Sequence, residues 1–114
     1  MIYRNIIPRI LRRGILPWVP RRWRLRCRLW IHLKYENAEP ELSQIWRLFS
    51  GRGVAIDAGA NVGFYSLRMA QLFSKVYSFE INPDVSHDLR ACHLPNVEII
   101  NTGLSNRSGA ATLF

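Results

Sequence analysis

The chain has 114 residues, which is enough for one domain with a hydrophobic core but too few for two. Hydrophobic residues make up 48% of it and charged residues 21%, which excludes an intrinsically disordered chain. The net charge of +8 is unevenly distributed. Residues 1–35 hold ten of the sixteen Lys and Arg residues and no acid, whereas the remainder holds six basic residues and all eight acids. The basic character therefore belongs to the front third of the chain.

The two cysteines and the front of the chain indicate a compartment. Cys27 and Cys92 lie far apart, and neither has the spacing to other Cys or His residues that a metal site requires, so we expect two free thiols and no metal. No apolar run reaches the ~18 residues of a transmembrane helix. The front has no signal-peptide core, and it lacks the serines typical of a transit peptide. These features predict a cytoplasmic protein.

Residues 1–35 predict a basic N-terminal arm. Pro8, Pro17 and Pro20 interrupt the first twenty residues, which we expect to be loosely ordered, with at most a short helix around residues 6–13. Residues 22–35 alternate between apolar and basic side chains, and this period of two is typical of a strand with one dry face. We therefore expect an exposed strand at 22–35 beside the main sheet. Contact of residues 1–35 with an anionic membrane or with nucleic acid is the functional alternative.

Residues 38–50 predict an amphipathic helix. Leu42, Ile45, Trp46 and Phe49 follow the i, i+3, i+4, i+7 spacing of a buried face, which places Trp46 in the core. Gly51 follows at the position of a C-terminal cap. A domain of residues 36–114 would begin with this helix.

Residues 54–63 are the stretch around which that domain is organised. The apolar run Val54 to Ile56 predicts a strand covered on both faces. Gly59 and Gly63 predict a loop that a ligand can approach closely, and a helix beginning near Asn61 would aim its free N–H groups at an anionic group. Asp57 lies at the strand tip and would suit a cationic or hydroxyl group. A zwitterionic ligand would satisfy both requirements.

The rest of the chain predicts further strands and helices in alternation. We expect a helix over residues 61–73, strands at 75–80 and 97–100, a helix ending near residue 93, and an extended piece over 110–114. This order predicts an α/β fold with parallel strands, in which ligands bind beyond the carboxyl ends of the strands. Asp57, Glu80 and residues 101–103 all fall at those ends. Glu80 could accept hydrogen bonds from the hydroxyls of a ribose, and Ile81 could pack on adenine.

The segment Ile56-Asp57-Ala58-Gly59-Ala60-Asn61-Val62-Gly63-Phe64-Tyr65-Ser66-Leu67 resembles motif I of the class I S-adenosylmethionine (SAM) methyltransferases, and more narrowly the FkbM-type family. Phe79-Glu80-Ile81-Asn82-Pro83 and Asn101-Thr102-Gly103-Leu104-Ser105 are similar to later segments of that family. The resemblance covers residues 36–114, about the first half of the family's domain. It implies a Rossmann-like SAM methyltransferase fold in partial form, and O-methylation of a small-molecule or sugar hydroxyl.

The resemblance also implies a set of SAM-binding residues. Asp57 would face the amino group of the methionine moiety, and the loop from Gly59 to Gly63 would face its carboxylate. Gly103 and Leu104 would contact the adenine, although Gly103 stands where many class I enzymes have an acid. The full expected set is Asp57, Ala58, Gly59, Asn61, Gly63, Glu80, Ile81, Gly103 and Leu104. No catalytic residue is identified.

Two alternatives accompany this interpretation. A nicotinamide dinucleotide would require Gly-x-Gly-x-x-Gly, whereas this loop has Gly59 and Gly63 four residues apart beside Asp57, whose charge would repel a pyrophosphate. The second alternative is a basic nucleic-acid- or membrane-binding protein on a degenerate methyltransferase scaffold. Because class I domains have further strands that build the acceptor site, we expect a truncated form with little or no activity of its own.

Overall fold

The computed structural model describes residues 2–49 and 52–112, and the side chains from Asn5 onward in the first of these ranges. Five α-helices and three strands are formed within those residues. A π-helical segment (Leu11–Ile15) and a 3₁₀ turn (Leu16–Trp18) follow the first helix. The elements are α1 (Ile2–Ile10), α2 (Arg21–Tyr35), α3 (Pro40–Leu48), β1 (Val54–Ala58), α4 (Phe64–Met69), β2 (Lys75–Phe79), α5 (His87–Ala91) and β3 (Val97–Ile100).

The three strands form one parallel sheet in the order β1-β2-β3. Ala58 pairs with Phe79 and Phe79 with Ile100, so the carboxyl ends of all three strands are level. This confirms the predicted strands and a small α/β domain with flanking helices. The expected extended piece at 110–114 has no regular structure through Thr112, and Leu113 and Phe114 lie outside the described residues.

The packed helices cover one face of this sheet. Ala55, Val76 and Ser78 point into the core, where Ala55 and Val76 pack with Ile45 and Met69. On the opposite face Val54 and Ile56 are 61% and 63% exposed. The expectation that β1 is covered on both faces is therefore wrong for the described residues. Only the face that carries Ala55 is packed, and the face that carries Val54 and Ile56 is exposed.

The N-terminal residues form a helical hairpin, which we define as Ile2–Tyr35, and the predicted strand at 22–35 is wrong. Those residues are the fifteen-residue helix α2. The prediction failed because an alternating pattern also places apolar residues four positions apart, which is the spacing of neighbours on one face of a helix. Leu25, Leu29 and Leu33 are therefore spaced for one face of a helix as well as one face of a strand. Arg and Leu, which dominate this segment, are also good helix formers, whereas β-branched residues are nearly absent from it.

Polar contacts close the hairpin at both ends. At the turn, Arg24 donates to the carbonyl oxygens of Val19 (2.8 Å) and Pro17 (3.1 Å). At the open end, the Arg12 guanidinium binds Glu36 through both carboxylate oxygens, at 2.9 and 3.0 Å. Burial alone would raise the pKa of Glu36, but hydrogen bonds from His32 and Arg12 outweigh it and hold that pKa below its ordinary value. The predicted loosely ordered arm is thus an ordered structure in its described part.

Helix α2 also joins the hairpin to the sheet domain. Leu25 and Leu29 belong to the buried cluster that contains Leu67 of α4 and Leu89 of α5. Beside this cluster the Arg28 guanidinium lies 2.8 Å from a carboxylate oxygen of Asp88 on α5, and both side chains are about three-quarters buried. One face of α2 is therefore core, which leaves its opposite face to α1 and solvent.

Helix α3 lies at its predicted position, but the predicted set of buried residues is only partly correct. Leu42 and Ile45 are buried, whereas Trp46 is 57% exposed with the Arg47 guanidinium over its ring. Gln44 departs from helical geometry (φ −112°, ψ 15°), so the i, i+4 spacing from Leu42 to Trp46 no longer places both side chains on one face. The predicted core position of Trp46 is therefore wrong, and the predicted cap at Gly51 lies outside the described residues.

Both cysteines are free thiols, with Cys92 buried and Cys27 partly buried, as expected. Burial raises the pKa of the Cys92 thiol, which keeps it protonated. No helix in residues 2–49 or 52–112 combines the length and the apolar character needed to cross a bilayer.

Candidate functional site at the carboxyl edge of the sheet

Asp57 is a partly buried acid at this edge. It occupies the penultimate position of β1 and pairs in register with Ser78 of β2. The Ser66 hydroxyl on α4 donates to Oδ2 of Asp57 at 2.6 Å, and the Oγ atoms of Ser66 and Ser78 are also 2.6 Å apart. Since Ser66 has only one hydroxyl proton, Ser78 must be the donor to Ser66. This buried chain of hydrogen bonds fixes the carboxylate against the sheet.

The surroundings of Asp57 disfavour its negative charge. Burial raises its pKa, the hydrogen bonds from Ser66 oppose that rise, and the charge of Glu80 adds to it. The overall direction is upward from the ordinary value. A cationic group bound at this edge would reverse the penalty, because an opposite charge favours the ionised carboxylate.

Hydrogen bonds of its backbone N–H groups hold the loop after β1 in place. Gly59 (φ +72°), Asn61 (φ +53°) and Gly63 (φ +101°) all adopt the left-handed region. The Ala60 N–H donates to the Phe79 oxygen at 2.8 Å, and the Gly63 N–H donates to the Ala60 oxygen at 3.0 Å. Helix α4 begins only at Phe64, so the expected helix start near Asn61 is three residues too early.

The two glycines of the loop have different surroundings. A Cβ atom on Gly63 would lie 2.9 Å from side-chain atoms of Leu89 on α5, so the small size of this residue serves close packing within the protein. A Cβ atom on Gly59 would meet no atom of residues 2–49 and 52–112 within 4 Å. Gly59 therefore lies on an open side of the loop, whereas Gly63 lies on its packed side.

Glu80 connects the loop to the end of β2. Its Oε2 accepts a hydrogen bond from the Asn61 N–H at 2.7 Å, and its Oε1 accepts one from the Asn82 N–H at 3.0 Å. Each carboxylate oxygen has a second lone pair, so the group can still accept from a bound hydroxyl. However, the Asn61 N–H is already used, and it is not available to the anionic group that the sequence places there.

Apolar side chains complete the edge beyond β2 and β3. A Cβ atom on Gly103 would lie 3.0 Å from Cδ1 of Ile81, so the segment after β3 passes directly against this residue. Ile81 and Leu104 are both more than half exposed, and Leu104 follows in the same segment. The Asn101 amide holds the segment in place by donating to the Glu80 backbone oxygen at 3.2 Å.

The predicted site residues thus come from three strand ends that the sheet makes level. Ala58 ends β1, Asn61 contacts Glu80, and Gly103 contacts Ile81. No protein-family model matches this chain. A search of curated proteins finds no match either. Among the residues that the structure describes, no group of three or more His, Cys, Asp and Glu side chains is placed to hold a metal ion. The geometry of this edge is therefore the basis for inferring a function.

Ser66 and Ser78 are not among the predicted site residues. Both are fully buried, and they orient Asp57 from α4 and β2. A signal was present, because Ser78 alternates with Tyr77 and Phe79 in a strand and must share a face with Val76. A serine on the buried face of a strand needs a hydrogen-bond partner, which Asp57 supplies through Ser66.

Proposed function

We propose that this chain binds SAM at the carboxyl edge of its sheet, as the FkbM-type methyltransferases that its sequence resembles do, and that the methyl acceptor is a hydroxyl of a small molecule or sugar. The observation that carries the proposal is the placement of two carboxylates, Asp57 and Glu80, around a loop that is open at Gly59 and beside the exposed side chain of Ile81. This set matches a ligand with a cationic end, a ribose and a flat apolar ring.

Each part of SAM has a counterpart at this edge. Asp57 would accept from the ammonium of the methionine moiety, which relieves the unfavourable burial of its charge. Glu80 would accept from the ribose hydroxyls through the lone pairs that Asn61 and Asn82 leave free. Ile81, packed on Gly103, would cover one face of the adenine.

The chemistry needs positioning more than covalent help. SAM supplies an activated methyl group, so holding the donor and acceptor in line provides much of the acceleration. An acceptor hydroxyl loses its proton as its oxygen gains the methyl group, and a general base usually takes that proton. His87 and His93 are both exposed and line a cleft with Arg21 and Arg24, so neither is placed at the strand ends. The described residues at this edge therefore support the proposal of donor binding but do not suggest a base for the acceptor.

The proposal is tested by calorimetric titration of the whole chain with SAM. We expect Asp57→Asn and Glu80→Gln each to weaken binding by roughly ten- to a hundredfold, because a hydrogen bond to a charged group contributes about 1.5–3 kcal/mol. Glu98→Gln is the matched control. Glu98 is an exposed acid on β3, and its substitution removes the same charge at a position away from the strand ends.

Three results would decide against the proposal. The first is an absence of SAM binding by a chain whose circular dichroism shows it to be folded. The second is tighter binding of a nicotinamide dinucleotide than of SAM. The third is equal loss of SAM affinity in the Glu98→Gln control, which would mean that binding follows overall charge and not the proposed site.

A further inference from the structure

The helical hairpin contains an apolar cavity that the proposed methyl transfer does not use. The cavity has a volume of about 280 Å³ and lies between the Leu11–Val19 segment and α2. Its lining includes Ile15, Trp23 and Trp30, which are all about half exposed, so its mouth opens to solvent. An open apolar cavity with an aromatic rim is typical of a binding surface and not of a closed core.

Cations surround the aromatic rim of this cavity. The guanidinium carbons of Arg22 and Arg26 lie 5.5 and 5.0 Å from the centre of the Trp23 ring. On the next turns of α2, the Lys34 ammonium lies 5.0 Å from the centre of the Trp30 ring. Trp23 and Trp30 thus each have a positive charge beside them, and a partner that offers both apolar groups and negative charge suits this rim.

Most of the positive charge on the hairpin is not neutralised by the protein. Glu36 pairs with Arg12, and Asp88 pairs with Arg28. Five other basic side chains of the hairpin are exposed and form no ion pair with an acid in the described ranges. They are Arg9, Arg13, Arg21, Arg22 and Lys34. The hairpin itself contains no acid, so its outer surface has a strong positive potential that attracts an anionic partner.

The exposed apolar side chains distinguish between the two anionic partners that such a surface could bind. Trp18, in the turn of the hairpin, is 87% exposed, and Ile10 and Ile15 are more than half exposed. Single-stranded nucleic acid would use the tryptophans for stacking but has no group that suits exposed isoleucines and an aliphatic cavity. The boundary between headgroups and acyl chains of a bilayer suits all of them.

We propose that the helical hairpin docks on an anionic lipid bilayer. Trp18 and the rim of the cavity enter the boundary between headgroups and acyl chains, where lipid tails reach the apolar lining. Arg13, Arg21 and their exposed neighbours stay at the level of the lipid phosphates. This inference is independent of the proposed methyl transfer, because none of these residues belongs to the carboxyl edge of the sheet.

Vesicle co-sedimentation of the whole chain tests the proposal. We expect binding to vesicles that contain phosphatidylglycerol, little binding to pure phosphatidylcholine, and weaker binding as salt rises and screens the charges. The double variant Arg13→Gln with Arg21→Gln should reduce the partition coefficient about thirtyfold, since each basic residue near an anionic surface contributes about 1 kcal/mol. Trp18→Ser should reduce it by about tenfold, because a large apolar ring is lost from the interface.

Matched controls show whether the position of the removed side chains on the hairpin matters, and not only their residue type. Arg52→Gln with Arg107→Gln removes the same charge from exposed positions outside the hairpin, and Trp46→Ser removes an exposed tryptophan from α3. Both controls should bind vesicles like the unmodified chain. Circular dichroism and a thermal scan verify that each variant is folded, which we expect because all these side chains are exposed.

Several outcomes would overturn the proposal. Equal binding to zwitterionic and anionic vesicles would refute the role of charge, and an absence of vesicle binding would refute docking altogether. Equal losses in the control variants would mean that binding is not located on the hairpin. Tighter binding to a single-stranded RNA oligonucleotide than to vesicles, weakened by the double variant Arg13→Gln with Arg21→Gln, would assign the surface to nucleic acid.

Discussion

Gly63 provides the sharpest test of how the loop is built. Its φ of +101° lies in the left-handed region, and an added Cβ atom would lie 2.9 Å from the Cβ and Cδ2 atoms of Leu89. A non-glycine residue in that region costs about 1–2 kcal/mol, and overpacking against a buried side chain adds about 1–3 kcal/mol. We therefore expect Gly63→Ala to lower the free energy of unfolding by about 2–5 kcal/mol. Gly59→Ala, with a similar φ but open space, should cost only about 1–2 kcal/mol.

Urea unfolding followed by circular dichroism measures both variants. In a chain of this size 1 kcal/mol corresponds to roughly 4 °C in the thermal midpoint, so a scan should also separate them. If the two variants lie within about 0.5 kcal/mol of each other, which is the usual scatter of an unremarkable surface substitution, the steric argument at Leu89 fails.

A double-mutant cycle tests how the side chain of Leu89 contributes to the cost of Gly63→Ala. Leu89→Ala alone should be strongly destabilising, since it leaves a cavity in the core where Leu89 is almost fully buried. Combined with Gly63→Ala it should cost about 0.5–3 kcal/mol less than the two separate losses together, because Leu89→Ala removes the close contacts with Cγ and Cδ2 while the 2.9 Å contact with the Cβ atom of residue 89 remains. Additive losses would show that the contacts with Cγ and Cδ2 of Leu89 do not contribute to the effect at Gly63.

Two further predictions concern polar groups. Asn96→Ala should lower stability by about 1–3 kcal/mol, because its amide donates at 2.7 and 3.0 Å to two backbone oxygens just beyond α4. Exposed Asn106→Ala should change the thermal midpoint little, and equal shifts would contradict this account. Burial raises the pKa of Asp57, so the folded state binds its proton more tightly than the unfolded chain does, and this site loses stability as pH rises from about 4. The amide oxygen of Asp57→Asn can still accept a hydrogen bond from Ser66, so this variant should be at least as stable as the unmodified chain at pH 7. The difference in the free energy of unfolding, measured by urea titration, should become smaller toward pH 4. A lower stability at pH 7 would refute that argument.

The strands and the carboxyl edge could be predicted from the sequence because their signals are local. Short apolar runs bounded by turn residues predicted β1, β2 and β3, and the order of elements placed Asp57 and Glu80 at level strand ends. The bonds of Glu80 to backbone N–H groups could not be predicted, because they depend on the left-handed turn at Asn61. The hydrophobic pattern of a sequence does not show which backbone N–H groups of a loop bond to groups of the protein itself.

The hairpin could not be predicted because its pattern is ambiguous. Alternation of apolar and basic residues in α2 satisfies the i, i+4 spacing of a helix and the period of a strand. What decides between them is tertiary: Leu25 and Leu29 find a buried cluster on α4 and α5, and Arg28 finds Asp88. Trp46 failed for a related reason, because a kink at Gln44 changes which side chains face the core.

The uneven charge gives the two proposals a common geometric consequence. An anionic surface attracts the hairpin, which has ten basic residues and no acid, and it repels the remainder, where acids outnumber basic residues by eight to six. These opposite forces orient the molecule as it approaches. Because α2 packs on α4 and α5 through the cluster around Leu25 and through Arg28, the hairpin cannot bind without carrying the sheet with it. A bilayer that binds the hairpin would therefore also fix the direction in which the carboxyl edge and its two carboxylates face.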